Sequence, residues 1–308
     1  MEKYSQFRDR GSGIAPFLPV SSSLQPLSLA IRATVFVIRL PLMLFLCSAY
    51  FGFGQWLPIG TLGKKFCLWA IAAIGGVWWI DLHIDGVKKG SLACEHPTRL
   101  PHPGTIIASS FTSPIDSLYL AAVFDPVFTV AYPSTPKIRR ISLLQAITYA
   151  FSFPETGSST SNLTDLPSLL QQNPNRCVVV FPECTTTNGQ GILELSPCIA
   201  SAPRHTKIFA VNLRYTPADI TTPIPRSYLS FIWNLLSQAT HCIRVRIAEP
   251  ITIDQCSPNN TVVQPKVILN LVGDTLATLG RIKRVGLGVK EKQEFLSIWF
   301  EKKKVVDI

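Results

Sequence analysis

From Ala33 to Phe53 the chain carries a single charge, Arg39, in a run otherwise dominated by Val, Ile, Leu, Phe and Ala. A helix of that length crosses roughly 30 Å of hydrocarbon, so the segment has to be buried in lipid or in an unusually apolar core. Turn-forming residues follow at Gln55–Gly63, then Lys64 and Lys65, then a second apolar run from Phe66 to Ile80 that holds Trp69, Trp78 and Trp79. The second run is short for a full span. The two predict a membrane-embedded helical hairpin with Trp at an interfacial belt, standing off the rest of the chain. A pair of buried core helices is the alternative. Pro41 and Gly52 would weaken a long helix in water and are tolerated in membrane helices.

The composition points the same way. Hydrophobic residues make up 47% and charged residues 16%, against a usual charged share of about 25%, which excludes disorder or coiled coil as a description of the whole chain. The 29 Lys and Arg against 19 Asp and Glu leave a formal charge of +10. That balance suits an anionic partner, and joined to the apolar excess it favours a membrane surface or lipid over nucleic acid. The eight cysteines include no C-x-x-C pair, which reads as reduced thiols on the cytosolic side and no metal. Residues 1–26 are rich in Gly, Pro and Ser with no apolar core near Met1, which predicts no cleaved signal peptide. The sequons at Asn162 and Asn259 are expected to be unused.

Beyond residue 80, short apolar strands alternate with helical stretches, the pattern of an α/β domain with a parallel or mixed sheet flanked by helices. Strands are expected at Ile80–Gly86, Thr105–Ala108, Val178–Phe181, Ile208–Tyr215 and Ile243–Ile247, and helices at about Pro114–Phe124 and Pro265–Arg284. The chain thus divides into a lead (1–27), a hairpin (28–80), an α/β domain (81–260) and a C-terminal helix with a basic tail (261–308), whose Glu301-Lys302-Lys303-Lys304 run is a solvated end or a membrane-surface contact.

Two constellations follow strand ends. In Ser109 to Asp116, Ser113 can cap a helix with Pro114 at its first position and Asp116 completing a capping box. Such a junction is also where α/β proteins place reactive groups. In Phe181 to Gly189 a carboxylate, three threonine hydroxyls, an amide and a Gly turn follow the strongest strand, which fits hydrogen bonding to a polyhydroxyl or phosphate headgroup, or a polar turn.

These two motifs, Ser110-Phe111-Thr112-Ser113-Pro114-Ile115-Asp116 and Phe181-Pro182-Glu183-Cys184-Thr185-Thr186-Thr187, resemble N-H-x-x-x-x-D and F-P-E-G-T-x-x of the PlsC-type 1-acylglycerol-3-phosphate acyltransferase family. Ile208 to Tyr215 is similar to the family's fourth motif, with Ala210 where a proline is usual. The resemblance covers about residues 80–255, and the chain's opening residues are similar to a fungal branch of lysophosphatidic acid:oleoyl-CoA acyltransferases linked to vacuolar sorting. It implies a glycerolipid acyltransferase-like fold and an acyl-CoA-dependent O-acyltransferase acting on a lysophospholipid, most simply lysophosphatidic acid, with acyl-CoA as co-substrate. No bound cofactor, metal or nucleic acid is implied. The implied place is the endoplasmic reticulum membrane or a lipid droplet, with the α/β domain facing the cytosol. On the family pattern Phe111 stands where a His acts as base and Asp116 where a carboxylate orients it, so Asp116 would polarise the acceptor or a water. Ser113, Glu183, Cys184, Thr185 and Thr186 would contact substrate. Cys184 replaces the family Gly and Thr186 a frequent Arg, which leaves Lys137, Arg139 and Arg140 as candidate phosphate contacts and His102 as a substitute base. The alternative reading is a lipid-binding or scaffolding protein that kept the fold and lost turnover.

Overall fold

The computed structural model describes residues 2–20, 26–54, 60–87, 99–157, 163–253 and 265–306. Asn162, Asn259, Cys94, Cys256 and His96, and the side chains of the Lys302–Lys304 run, lie outside what is described.

A seven-stranded mixed sheet organises the chain in the order β1-β8-β7-β2-β5-β3-β4. Its strands are β1 (Val77–Ile84), β2 (Ile106–Ser109), β3 (Val127–Ala131), β4 (Ile138–Ile141), β5 (Val178–Val180), β7 (Ile208–Thr216) and β8 (His241–Ile247), while β6 (Gly191–Ile192) pairs with β9 (Lys283–Arg284) in a separate two-stranded ladder. The central β7, β2, β5 and β3 run parallel. They are buried on both faces, which is why Val178-Val179-Val180 reads as a continuous apolar run rather than an alternation. The outer strands reverse: β8 is antiparallel to β7, and β4 to β3.

The helices are α1 (Pro26–Ser48), α2 (Thr61–Ile74), α3 (Pro114–Phe124), α4 (Leu143–Tyr149), α5 (Leu166–Gln172), α6 (Tyr228–Ser237), α7 (Pro265–Gly280) and α8 (Val289–Val306). One sheet face packs on α2, α3, α4 and α6 around Ile107, Val179 and Phe209; the other packs on α5 and α7 around Ile106, Val178 and Val180. A third cluster gathers Phe7 and Phe17 of the N-terminal lead around Phe295 of α8. The lead is therefore folded onto the C-terminal helix, which no periodicity in it foretold.

The stretch from Leu29 to Gly52 is long and apolar enough to cross a membrane. The hairpin does not stand off, however. Leu68, Ile71 and Ala72 of α2 are buried in the core beside α3, and Phe36 meets Trp233 of α6 at 5.0 Å between ring centroids. Arg39 donates to the carbonyls of Gln238 and Ala239 at 2.5 and 2.8 Å, and Arg32 Nε to Ser237 Oγ at 3.1 Å. Two cations thus sit at the negative end of α6, where the free carbonyls of a helix favour them. The second apolar run is also not one helix to Ile80. α2 stops at Gly75, Gly76 turns the chain at φ +80°, and Trp78 and Trp79 fall in edge strand β1 with side chains exposed to solvent. A left-handed turn of this kind is what Gly supplies at no steric cost.

Candidate active site

The end of β2 feeds directly into α3, and the Ser-Pro-x-Asp chemistry at the junction is realised as a cap. Ser113 is the N-cap in extended conformation, its Oγ accepts from Ile115 N at 3.3 Å, and Pro114 takes the first helical position. Asp116 is fully buried. Its Oδ2 accepts from Thr112 N at 2.6 Å, Ser113 N at 2.9 Å and Thr112 Oγ1 at 3.2 Å, and its Oδ1 accepts from the hydroxyl of Tyr215. Burial raises its pKa to about 6, with the Tyr215 hydroxyl and the two amides pulling the other way.

Phe111 occupies the centre of the junction with no exposed surface. Its ring stacks on Phe181 at 4.3 Å and lies parallel to Tyr149 at 6.2 Å. Its backbone joins the motifs: Phe111 N donates to Glu183 Oε1 at 3.3 Å, and Thr187 N donates to Phe111 O at 3.0 Å. The two carboxylates therefore hold consecutive residues, Phe111 and Thr112, at one strand end. Both are sealed beneath the surface rather than placed at a crevice mouth.

Glu183 also accepts from Leu193 N at 3.1 Å, and burial raises its pKa to about 7. A carboxyl whose native pKa lies above its unfolded value lends stability that is complete below about pH 4.5 and is lost as pH climbs through about 7. Glu183→Gln removes this titration, so thermal melts between those limits should show a flatter dependence on pH than in the wild type. An unchanged slope would show that Glu183 does not titrate as its burial requires.

Cys184 sits at φ +57°, in the left-handed region where a side chain costs about 1–2 kcal/mol. This is the physical reason for the glycine of the F-P-E-G-T pattern. Its thiol is buried and raised well above the ordinary range by desolvation, which makes it inert as a nucleophile. Thr185 and Thr186 are also buried, and their partners are internal: Thr186 Oγ1 donates to Thr222 O at 2.6 Å. Lys292 of α8, fully buried, donates through Nζ to Thr185 Oγ1 at 2.8 Å, Thr186 O at 2.6 Å and Thr186 Oγ1 at 3.3 Å. Desolvation lowers its pKa to about 7, against the opposing pull of Glu183. Nothing in the local pattern of α8 marks Lys292; only its tertiary position joins it to the motif.

A cavity of about 80 Å³ opens beside both motifs, lined by Thr112, Asn188, Gly189, Gln190, Arg214 and Tyr215 among others. Arg214, exposed on β7, is the cation that sequence reasoning passed over. An apolar cavity of about 240 Å³ begins at Pro114 and Ile115 and runs between α1, α2 and α6 past Met43, Ile71 and Phe231.

Lys137, Arg139 and Arg140 lie at edge strand β4, and none of them lines the small cavity. Arg139 lies within electrostatic reach of Tyr149, whereas Arg140 lines a different cavity. His102 lies on the far side of β2 from the junction: it precedes that four-residue strand, itself about 13 Å long, and its Nδ1 lies 3.0 Å from Leu100 O.

No family model matches the chain. It is 27% identical over 306 residues to a Schizosaccharomyces pombe protein named "Putative lysophosphatidic acid:oleoyl-CoA acyltransferase", covering 96% of this chain and 97% of that one. It is 25% identical over 273 residues to "Lysophosphatidic acid:oleoyl-CoA acyltransferase 1" of Saccharomyces cerevisiae, covering 81% and 84%. Among solved structures, the 1-acyl-sn-glycerophosphate acyltransferase PlsC of Thermotoga maritima aligns with a TM-score of 0.38 at 14% identity, over 82% of this chain and 97% of that one. With the first relative matched nearly end to end, and the two motifs meeting at one strand end, the chain is similar to the fungal lysophosphatidic acid:oleoyl-CoA acyltransferases.

Proposed function

We propose that the protein transfers an acyl group, oleoyl by the relatives' names, from acyl-CoA to the free hydroxyl of lysophosphatidic acid at the endoplasmic reticulum or lipid-droplet surface, with its α/β domain facing the cytosol. The observation that carries the chemistry is Tyr215, which lines the small cavity between the motifs and donates its hydroxyl to Asp116. In the transfer the acceptor oxygen attacks the thioester carbonyl, a C–O bond forms, the C–S bond breaks and CoA leaves as the thiolate. The acceptor proton passes to Tyr215 O as the Tyr215 proton passes to Asp116, whose raised pKa makes it a better base than an ordinary aspartate. Burial and the facing carboxylate hold Tyr215 well above its usual pKa, so the two protons move together and no free phenolate forms. The acceptor proton returns through the same pair to the CoA thiolate.

Arg214 supplies a cation at the cavity for the substrate phosphate, and the apolar cavity starting at Pro114 takes the acyl chain. In this reading Glu183, Thr185, Thr186 and Ser113 shape the site by fixing backbone, and Lys137 and Arg139 serve a phosphate only from the β4 edge.

The test is purified protein in detergent with labelled oleoyl-CoA and a panel of lysophospholipids. Lysophosphatidic acid should be acylated, and Asp116→Ala should lose at least about 10²-fold in rate. Because Asp116 also caps α3, folding of the variant is checked by circular dichroism. No product with any acceptor from folded wild-type protein would favour the second reading, a lipid-binding protein without turnover, whose supporting observation is the Phe111 ring packed where the family base stands.

A further inference from the structure

At the opposite end of α3 from the site, about 16 Å along the helix, lies a cavity of about 480 Å³. Lys64 and Lys65 of α2 line it with Arg140, Arg176 and a single acid, Asp125. Arg176 is paired with Asp125 at 2.9 Å, and Lys65 Nζ donates to Val123 O at 2.9 Å. Lys64 and Arg140 make no side-chain hydrogen bond or ion pair among the described residues, and Lys65 bonds only a neutral carbonyl, so the cavity lining keeps three positive charges without a counter-ion. Its volume falls in the range of ordinary ligand cavities.

Next to these cations α2 presents Leu62 and Phe66, one turn apart and 82% and 75% exposed. Residues four apart share a helix face, so α2 carries an outward apolar stripe beside an inward basic one. α1 also exposes apolar side chains, among them Val37, Leu42 and Phe45. Cations bordering an apolar, lipid-facing surface are the arrangement that recognises anionic headgroups.

We propose that this cavity is a second site, separate from the acyl-transfer site, which binds the phosphate-bearing headgroup of an anionic glycerophospholipid while the lipid's chains lie against Leu62 and Phe66. Lys64 and Arg140 carry the phosphate. Lys65 and Arg176, held by Val123 and Asp125, shape the walls.

The experiment is flotation of the full chain with phosphatidylcholine vesicles, with and without about one-fifth phosphatidylserine, at physiological salt. The anionic lipid should strengthen binding, and Lys64→Glu with Arg140→Glu should weaken that increment by about tenfold or more. Lys64→Gln with Arg140→Gln, which avoids new acidic groups in case the first pair misfolds, should remove most of it. Arg281→Glu with Lys283→Glu, an equal charge change at two exposed residues, one just before β9 and one in it, should leave it within about twofold. Equal losses from the cavity and control pairs would reduce the effect to diffuse attraction and overturn the proposal, as would no loss from the cavity pairs. Short-chain phosphatidylserine should compete with the vesicles where inorganic phosphate at equal concentration does not; equal competition would make this a free-phosphate site. The readout needs no turnover, so its outcome is independent of the acyltransferase reading.

Discussion

Tyr215→Phe is expected to lower acyl transfer by about 10²–10⁴-fold while leaving the fold intact, the loss typical of removing a positioned proton acceptor. The ring stays in its buried place, and the missing hydroxyl uncouples the cavity from Asp116. The same substitution frees Asp116 Oδ1, which otherwise has Tyr215 as its partner. Phe111→His alone is therefore expected to give little gain, because the Asp116 oxygens that would have to orient an imidazole are occupied by two amides and a phenol. In the double variant Tyr215→Phe, Phe111→His, the carboxylate is available to orient the imidazole, and part of the lost rate should return. Single-turnover rates with labelled oleoyl-CoA, compared across the four proteins, measure the coupling. A Tyr215→Phe protein with wild-type rate would remove Tyr215 and Asp116 from the proton path.

Lys292→Met should separate stability from activity. The substitution removes three hydrogen bonds to Thr185 and Thr186, and it also relieves the desolvation that lowers the lysine's pKa to about 7. Against that relief, the Thr186 carbonyl left without its donor costs about 1–3 kcal/mol, so the melting temperature should fall by several degrees while the protein stays folded. The loop carrying Thr185 and Thr186 loses its tie to α8, and displacements of about 1 Å at such a site cost up to about 10² in rate. Loss of the nearby cation also pushes Glu183 further up, because Lys292 draws its pKa down, so the pH-dependent part of stability assigned to Glu183 should shift to higher pH. A variant with unchanged rate and unchanged pH profile would leave Lys292 as packing only.

What the sequence by itself determined was local or periodic. The cap at Ser113, Pro114 and Asp116 was legible because its partners lie within one helical turn, and the same spacing gave α3 its limits from Pro114 to Phe124. The buried parallel strands were legible as continuous apolar runs, and α1 as a stretch too apolar for ordinary exposure. The short β3, β4, α4 and α5 were missed, since four- to seven-residue elements leave little periodicity to read. Trp78 and Trp79 looked helical because an apolar run does not reveal where Gly75 and Gly76 break it.

Tertiary structure decided everything that rests on partners far apart in sequence. Tyr215 reaches Asp116 across 99 residues, Lys292 reaches Thr185 across 107, and Arg39 meets Gln238 across 199. The first pairing follows from the strand order, which sets β7 beside β2, and the other two from the packing of α8 on the motif and of α1 on the end of α6. The chain's local propensities are compatible with many such orders. The one adopted is selected by burying both faces of the central strands at once, and only then does the capping carboxylate of Asp116 also accept the Tyr215 hydroxyl.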